Sequence, residues 1–268
     1  MTEIITSTGN PRVKEALRLR GKRGRAEGEH ILIDGVREIG RAVEAGIGID
    51  EVFFCDAILA GDDAAALLKS IAAGGSRVTQ VSETVFDKIR YGDRTGGLVT
   101  IAQRPRRALD DLRLSSNPLV AVLERLEKPG NLGAIVRTAD AAGVEAILVI
   151  DPETDLYGPN VIRASLGTIF CLPVVEAEVD AAIAWIKKRN LAMIAATPEG
   201  AAVYTDVDFR GPVALVFGSE AKGLSTTWRK PNVTLATVPM RGRADSLNVA
   251  TTAALFFYEA LRQRGAVQ

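Results

Sequence analysis

The amino-acid sequence predicts an α/β protein with a parallel sheet in its second half and a smaller α/β unit before it, and three observations carry that reading. Beyond residue 118, nearly continuous apolar runs alternate with helical patterns, as expected of strands covered on both faces. Before residue 104, shorter strands alternate with helices of clear apolar spacing. Between them, Arg104-Pro105-Arg106-Arg107 and Ser115-Ser116-Asn117-Pro118 are polar, charged and broken by proline, which reads as an exposed linker. A chain of 268 residues divides well into two domains of ordinary size. The boundaries drawn are 1–103, a linker over 104–117, and 118–268.

In the first unit, Pro11 to Arg20 places Val13, Ala16 and Leu17 at helical spacing, and Gly21 to Gly28 reads as a basic loop. Strands are predicted at Ile31 to Ile33, Glu51 to Cys55, Arg77 to Val81 and Leu98 to Ala102. Helices are predicted at Val36 to Ala45, stopped by Gly46, and at Ala64 to Ala73. In the second unit the apolar runs are Leu119 to Leu123, Ala146 to Ile150, Leu191 to Ala195, Val213 to Phe217 and Val233 to Val238. A long helix over Leu247 to Arg262 closes the chain. Ligands of such sheets bind beyond the carboxyl ends of the strands, so the segments that follow these runs matter most.

Composition removes several functions. Thirty-three basic side chains balance thirty-three acidic ones, so a wholesale polycation is excluded while a local basic face is not. No run approaches the roughly 18 apolar residues of a membrane span. The opening Met-Thr-Glu-Ile-Ile-Thr resembles neither a secretory signal nor a transit peptide, and Cys55 and Cys171 have no partner at metal-ligand spacing. Both features point to a reduced, cytoplasmic protein. His30 is the single histidine, which removes His-rich metal sites and leaves little for a Ser/Cys-His mechanism. No GxGxxG or GxxxxGK[ST] phosphate loop is present.

Three post-strand segments carry unusual chemistry. Glu127-Lys128-Pro129-Gly130-Asn131-Leu132-Gly133 leads to Arg137, with Asn131 suited to cap the helix. Arg137 falls about 1.7 turns further on, off the face of Asn131. In Phe217-Gly218-Ser219-Glu220-Ala221-Lys222-Gly223, Gly218 permits close approach by a ligand and Glu220 projects from the loop. In Val238-Pro239-Met240-Arg241-Gly242-Arg243-Ala244-Asp245-Ser246-Leu247-Asn248-Val249, a strand runs into a polar loop where Ser246 or Asp245 can cap the last helix. Each segment alone also reads as an ordinary capped helix.

Together, in order and wording, they resemble the three motifs of the SpoU-type (TrmH-like) RNA ribose 2′-O-methyltransferases of the SPOUT superfamily. The match runs from about Val122 to Arg262. A fourth stretch, Val161 to Phe170, also resembles the family, and Asn10-Pro11-Arg12-Val13-Lys14 through Ile33 is similar to the L30e-like substrate-binding domain that often precedes the catalytic one. Lys128 stands where Asp or Asn is commoner, Leu166 where Met is usual and Cys171 where a basic residue is frequent. These departures touch RNA contacts rather than the reaction.

The resemblance implies a SPOUT-type parallel sheet with a C-terminal trefoil knot, S-adenosylmethionine as cofactor, a homodimer and no metal. Cofactor-binding positions carried over are Thr197, Pro198, Glu199, Gly200, Phe217, Gly218, Ser219, Glu220, Val238, Pro239, Met240, Ser246, Leu247, Asn248 and Val249. The catalytic set is Arg137, Asn131, Glu220, Ser246 and Asn248. An arginine matching Arg137 has been proposed as the base in this family, but a guanidinium pKa above about 12 favours a fork that orients phosphate and hydroxyl. RNA contacts are expected from Arg12, Lys14, Arg18, Arg20, Lys22, Arg23 and Arg25, with Arg137 and Arg163. Aromatics are scarce at 5%, which favours recognition of folded RNA by shape and phosphate. Ribosomal RNA of the large subunit is the expected substrate. A tRNA methyltransferase, a silent RNA-binding protein and a small-molecule methyltransferase are the alternatives. The target nucleotide, and a housekeeping or antibiotic-resistance role, are not legible.

Overall fold

The computed structural model describes residues 4–26, 28–92 and 96–265. In chain order the elements are α1 (Pro11–Arg20), α2 (Lys22–Ala26), β1 (His30–Asp34), α3 (Val36–Glu44), β2 (Ile49–Phe54), α4 (Asp62–Ala73), β3 (Arg77–Gln80), α5 (Glu83–Ile89) and β4 (Leu98–Gln103). There follow β5 (Leu119–Glu124), α6 (Pro129–Ala141), β6 (Ala146–Ile150), α7 (Pro159–Ala164), α8 (Thr168–Cys171), β7 (Val174–Ala177) and α9 (Val179–Lys188). The last are β8 (Ala192–Ala196), β9 (Ala202–Val203), β10 (Val213–Phe217), β11 (Val233–Thr237) and α10 (Val249–Gln263). The basic stretch after Gly21 is thus a short helix rather than a loop. The sequence reading also passed over α5, started by the Ser82 hydroxyl, and the short strands β7 and β9.

Two compact units form. The first has a four-stranded sheet in the order β1-β4-β2-β3, with β4 antiparallel to β1 and β2, and β2 parallel to β3. Asn10 caps α1 by accepting the Arg12 N–H, and α1 buries Val13, Ala16 and Leu19 in the same cluster as Phe53, Phe86 and Val99. This unit comprises Met1–Pro105 together with Tyr157–Cys171. The sequence boundary placed that second segment in the second domain; by packing it groups with the first unit. Leu166 O accepts a bond from Arg41 Nη1 at 2.6 Å. Gly167, at φ +84, lies so close to Glu38 Cα that a Cβ would stand 2.9 Å away, so this contact needs glycine.

The second unit, Arg106–Leu156 with Leu172–Gln268, holds a seven-stranded parallel sheet in the order β7-β6-β5-β10-β8-β11-β9. Every residue of β5, β6 and β10 is buried, which is why those runs show no polar alternation. Trp185 and Ile186 of α9 join Val122, Leu148 and Val216 in one core cluster. On α10, Phe256 and Phe257 meet Phe217 edge to face at 5.8 and 5.6 Å. The helix also packs on α6, so the chain returns from β11, next to the sheet's edge strand β9, to the helix that follows β5.

Residues 106–117 are not a free linker. Leu112 is buried, Trp185 Nε1–H donates to Leu109 O at 2.9 Å, and the Ser115 N–H and hydroxyl both bind Glu145. Leucines spaced among the charges supply an apolar face that a polarity argument overlooks.

Candidate active site

The carboxyl ends of β8, β10 and β11 and the start of α10 enclose a cleft of about 740 Å³, counting its open mouth. Of the expected cofactor positions, Thr197, Pro198, Phe217, Gly218, Ser219, Glu220, Val238, Met240, Ser246, Leu247 and Val249 line it. Glu199, Gly200, Pro239 and Asn248 do not. Glu199 turns to the Thr197 hydroxyl at 2.6 Å and to Arg229 at 3.1 Å, and these two bonds, Thr197 first, hold its carboxyl below the usual range. Gly200 packs against the backbone of Ala236 and Thr237. Asn248 is spent as the cap of α10, accepting the Ala250 N–H at 2.9 Å. That corrects the expectation that Ser246 or Asp245 would cap the helix. Ser246 is exposed at the cleft instead.

Sequence reasoning missed Phe256, Thr252 and Leu224 in the lining. The helical repeat of α10 places Val249, Thr252 and Phe256 on one face, and that spacing was the available signal. Gly218 also has a different reason from the one expected. A Cβ there would lie 2.4 Å from Gly223 C and 2.6 Å from Leu224 N. The close neighbour is the protein's own returning turn.

Beside the cleft stands a polar cluster in an adjoining pocket lined by Lys128, Asn131, Glu220 and Val249. Asn131 is not the cap of α6, because Pro129 begins the helix and Lys128 precedes it; it lies in the first turn. Its Oδ1 accepts from Asn248 Nδ2 at 3.1 Å. Asn248 Nδ2 also donates to Glu220, and Lys128 Nζ pairs with the other oxygen of that carboxylate. The Lys128 hydrogen bond holds the Glu220 carboxyl below its ordinary range, with help from the Val249 N–H and Asn131. The same pair raises Lys128. Three of the five expected catalytic residues, Asn131, Glu220 and Asn248, therefore meet directly.

Arg137 stands apart. It is exposed on α6 and lines neither pocket. Among the described residues it makes no hydrogen bond or ion pair.

The cleft suits a purine nucleoside. Its walls are apolar at Phe217, Leu224, Val238, Met240 and Leu247. Among the described residues, the backbone N–H groups of Val238, Met240 and Leu247 find no acceptor in the chain. Unspent backbone donors around an apolar slot are what a purine ring requires. Among the described residues no group of three or more His, Cys, Asp or Glu is placed to hold a metal ion.

The basic residues of the first unit divide sharply. Arg25 is buried and its Nη1 donates to Leu19 O and Arg20 O, satisfying the carboxyl end of α1. Arg12 pairs with the buried Glu51 and with Thr79, and Arg20 donates to Lys88 O. Arg18 binds Glu15 at 2.8 Å and Gly24 O at 2.6 Å. Arg25 is thus held inside the unit, and Arg12 is paired within it while staying partly exposed. Lys14, Lys22 and Arg23 are exposed. Arg163 is exposed too, but lies in the first unit against Gly92. His30 Nε2 pairs with Asp50 at 2.6 Å.

Comparison with known proteins agrees with this geometry. Residues 118–258 match the SpoU rRNA Methylase family, and residues 10–100 match an MRM3-like substrate binding domain. A 23S rRNA (uridine(2479)-2′-O)-methyltransferase from Streptomyces viridochromogenes is 31% identical over 91% of this chain and 86% of its own. A crystal structure described as an RNA 2′-O ribose methyltransferase is 42% identical, with a TM-score of 0.83 over 98% of this chain and 99% of that one. An AdoMet-bound rRNA methyltransferase from Sinorhizobium meliloti is 29% identical, with a TM-score of 0.88 over 97% and 98%.

Proposed function

The chain belongs to the SpoU rRNA methylase family, and from that premise we propose that it methylates a ribose 2′-hydroxyl of large-subunit ribosomal RNA, with S-adenosylmethionine as methyl donor. The observation that carries the reading is the Lys128–Glu220–Asn248–Asn131 cluster set beside an apolar cleft with unspent backbone donors. Bound there, the cofactor supplies an electrophilic methyl group on sulfur. The cleft positions expected to hold it are those named above that line it, with Val238, Met240 and Leu247 offering backbone N–H groups.

A ribose hydroxyl is a weak nucleophile, so orientation and a proton route carry the rate. Glu220 is a poor base because its carboxyl is held below the usual range. Its role is to fix Lys128 and Asn248, and through Asn248 to fix Asn131. His30 is engaged with Asp50 in the other unit. Arg137, exposed and unspent, offers a planar two-point donor to the target phosphate and hydroxyl, with the proton passing to phosphate or water. Ser246 at the cleft completes the set.

The reading includes the trefoil knot, supported by the return of α10 from β11 to α6. It includes a homodimer as well. The face of α10 that packs on its own unit carries Val249, Ala253, Phe256, Phe257 and Ala260. The stripe Thr251, Ala254, Leu255, Tyr258 and Leu261 is left partly or fully exposed, Tyr258 by 50%, and a second copy would cover it. Light scattering at micromolar concentration should give twice the chain mass; a monomer refutes the dimer. Cofactor binding should survive a chelator.

The deciding experiment is mass-spectrometric mapping of ribose methylation in ribosomal RNA from cells with and without the gene. One 2′-O-methyl group should vanish with the gene. An unchanged map, with tRNA changed instead, would move the substrate to tRNA. A chain that binds RNA but no S-adenosylmethionine would be the silent relative.

A further inference from the structure

Glu124 ends β5 with a carboxylate that is 2% exposed. It lies one residue past Leu123, which pairs with Phe217, so it sits level with the point where β10 gives way to Gly218. A carboxylate withdrawn from water is costly unless donors meet it. Here three donors do, all from one segment about a hundred residues away. Ser225 gives its backbone N–H at 2.8 Å and its hydroxyl at 2.7 Å, and Trp228 gives its indole N–H at 3.1 Å. The Arg125 guanidinium lies 3.7 Å away.

None of Glu124, Ser225 and Trp228 lines the cleft, but Leu224, adjacent to Ser225, does. The turn between β10 and Ser225 carries Glu220 and closes on itself, with the Gly223 N–H on Ser219 O at 2.9 Å and the Lys222 N–H on Ser219 Oγ at 3.0 Å. One foot of that turn is β10. The other is Ser225, gripped by Glu124. The short connection from β5 to α6 therefore holds the turn twice, by Glu124 at its foot and by Lys128 at Glu220.

We infer that Glu124 is a positioning residue for methyl transfer: through Ser225 and Trp228 it sets the turn that walls the cofactor cleft and presents Glu220. The inference rests on the functional reading above. A neutral amide of the same shape cannot satisfy all three donors, since it turns an NH₂ group toward one of them.

The test uses full-length Glu124→Gln and Ser225→Ala. Glu124→Gln should stay folded by circular dichroism and bind S-adenosylmethionine about tenfold more weakly by calorimetry, the size expected when one charged hydrogen bond is removed. KM for the cofactor should rise with it, while KM for RNA stays put. Ser225→Ala removes only the hydroxyl bond and should show the same split at about threefold, with Ser225→Thr restoring the wild-type value. In a Trp185→Phe background Trp228 is the one remaining tryptophan, and its emission should change on cofactor binding in the parent and not in Glu124→Gln. Should Glu124→Gln fail to fold, the Ser225 pair decides. Wild-type cofactor affinity in folded Glu124→Gln, or in Ser225→Ala, would overturn the inference. A parent chain that bound no S-adenosylmethionine would instead strike down the functional reading.

Discussion

Two regions of this molecule concentrate polar side chains and spend them in opposite ways. Around Glu220, residues from three separate loops bond to one another, and the cluster lies beside an apolar cleft. Along Arg12 to Arg25, most of the guanidinium groups are bonded to carbonyls and carboxylates of their own unit. In the first region, convergence of distant residues marks a site. In the second, charge density alone marks chiefly a helix terminus and its supports. A charge run is ambiguous because arginine serves packing and recognition with the same donors.

The comparison breaks most decisively at Arg137, which belongs to neither pattern. Arg137→Ala should abolish methyl transfer, by on the order of a thousandfold, while cofactor affinity stays nearly intact. Arg137→Lys should remain badly impaired, because an ammonium lacks the fork. Single-turnover pH profiles on the same RNA decide the role: rescue of the lysine variant at raised pH would favour a literal base. Full activity in the alanine variant would remove Arg137 from the reaction.

Within the cluster, Glu220→Gln should lower single-turnover rates by about a hundredfold, and Lys128→Gln by less. Lys128 is the first cause of the lowered Glu220 value. Its removal should return that carboxyl toward the ordinary 4.5 and move the acid limb of the rate profile upward. The sign follows from which form is needed: the ionised Glu220 carboxylate accepts from Asn248, and a carboxyl returned upward is protonated at a higher pH. An acid limb unmoved in Lys128→Gln would separate Glu220 from the rate.

The basic stretch sharpens the contrast. Arg25→Ala should cost about 1–3 kcal/mol in denaturant unfolding, because buried carbonyls lose their donor. The triple change of the exposed Lys14, Lys22 and Arg23 to Ala should cost less stability than Arg25→Ala. It should flatten the salt dependence of RNA binding by about one power of salt for each phosphate no longer neutralised. An unchanged slope would make the stretch wholly structural.

The smallest effect is expected at Asp208, lowered to about 2 by its hydrogen bonds to Arg210. Both groups are well exposed. Arg210→Ala should return Asp208 toward 3.8 by NMR titration without a measurable change in melting.

Much of the catalytic unit was legible because its signals are local. A strand buried on both faces has to be apolar throughout, so β5, β6 and β10 stood out as runs. The loops after β5, β10 and β11 were legible as motifs, and most of the positions expected to hold the cofactor line the cleft. Glu124 was passed over because a charge at the end of an apolar run looks like a strand boundary. Its partners, Ser225 and Trp228, lie about a hundred residues on and carry no pattern of their own.

By itself, the sequence determined the alternation of strands and helices, the two-unit division in outline, the family and, among the polar groups that meet at Glu220, Asn131 and Asn248 but not Lys128. Periodicity, turn residues and motif wording are properties of short segments, and short segments are what a chain displays before it folds. Tertiary structure alone decided which arginines are spent, that Leu112 docks the supposed linker, that residues 157–171 pack with the first unit, and that Gly218 admits the protein's own turn. Each of these depends on which distant atoms arrive within bonding reach. Burial and hydrogen-bond satisfaction are settled by the neighbours that long-range packing brings, and no local pattern encodes those.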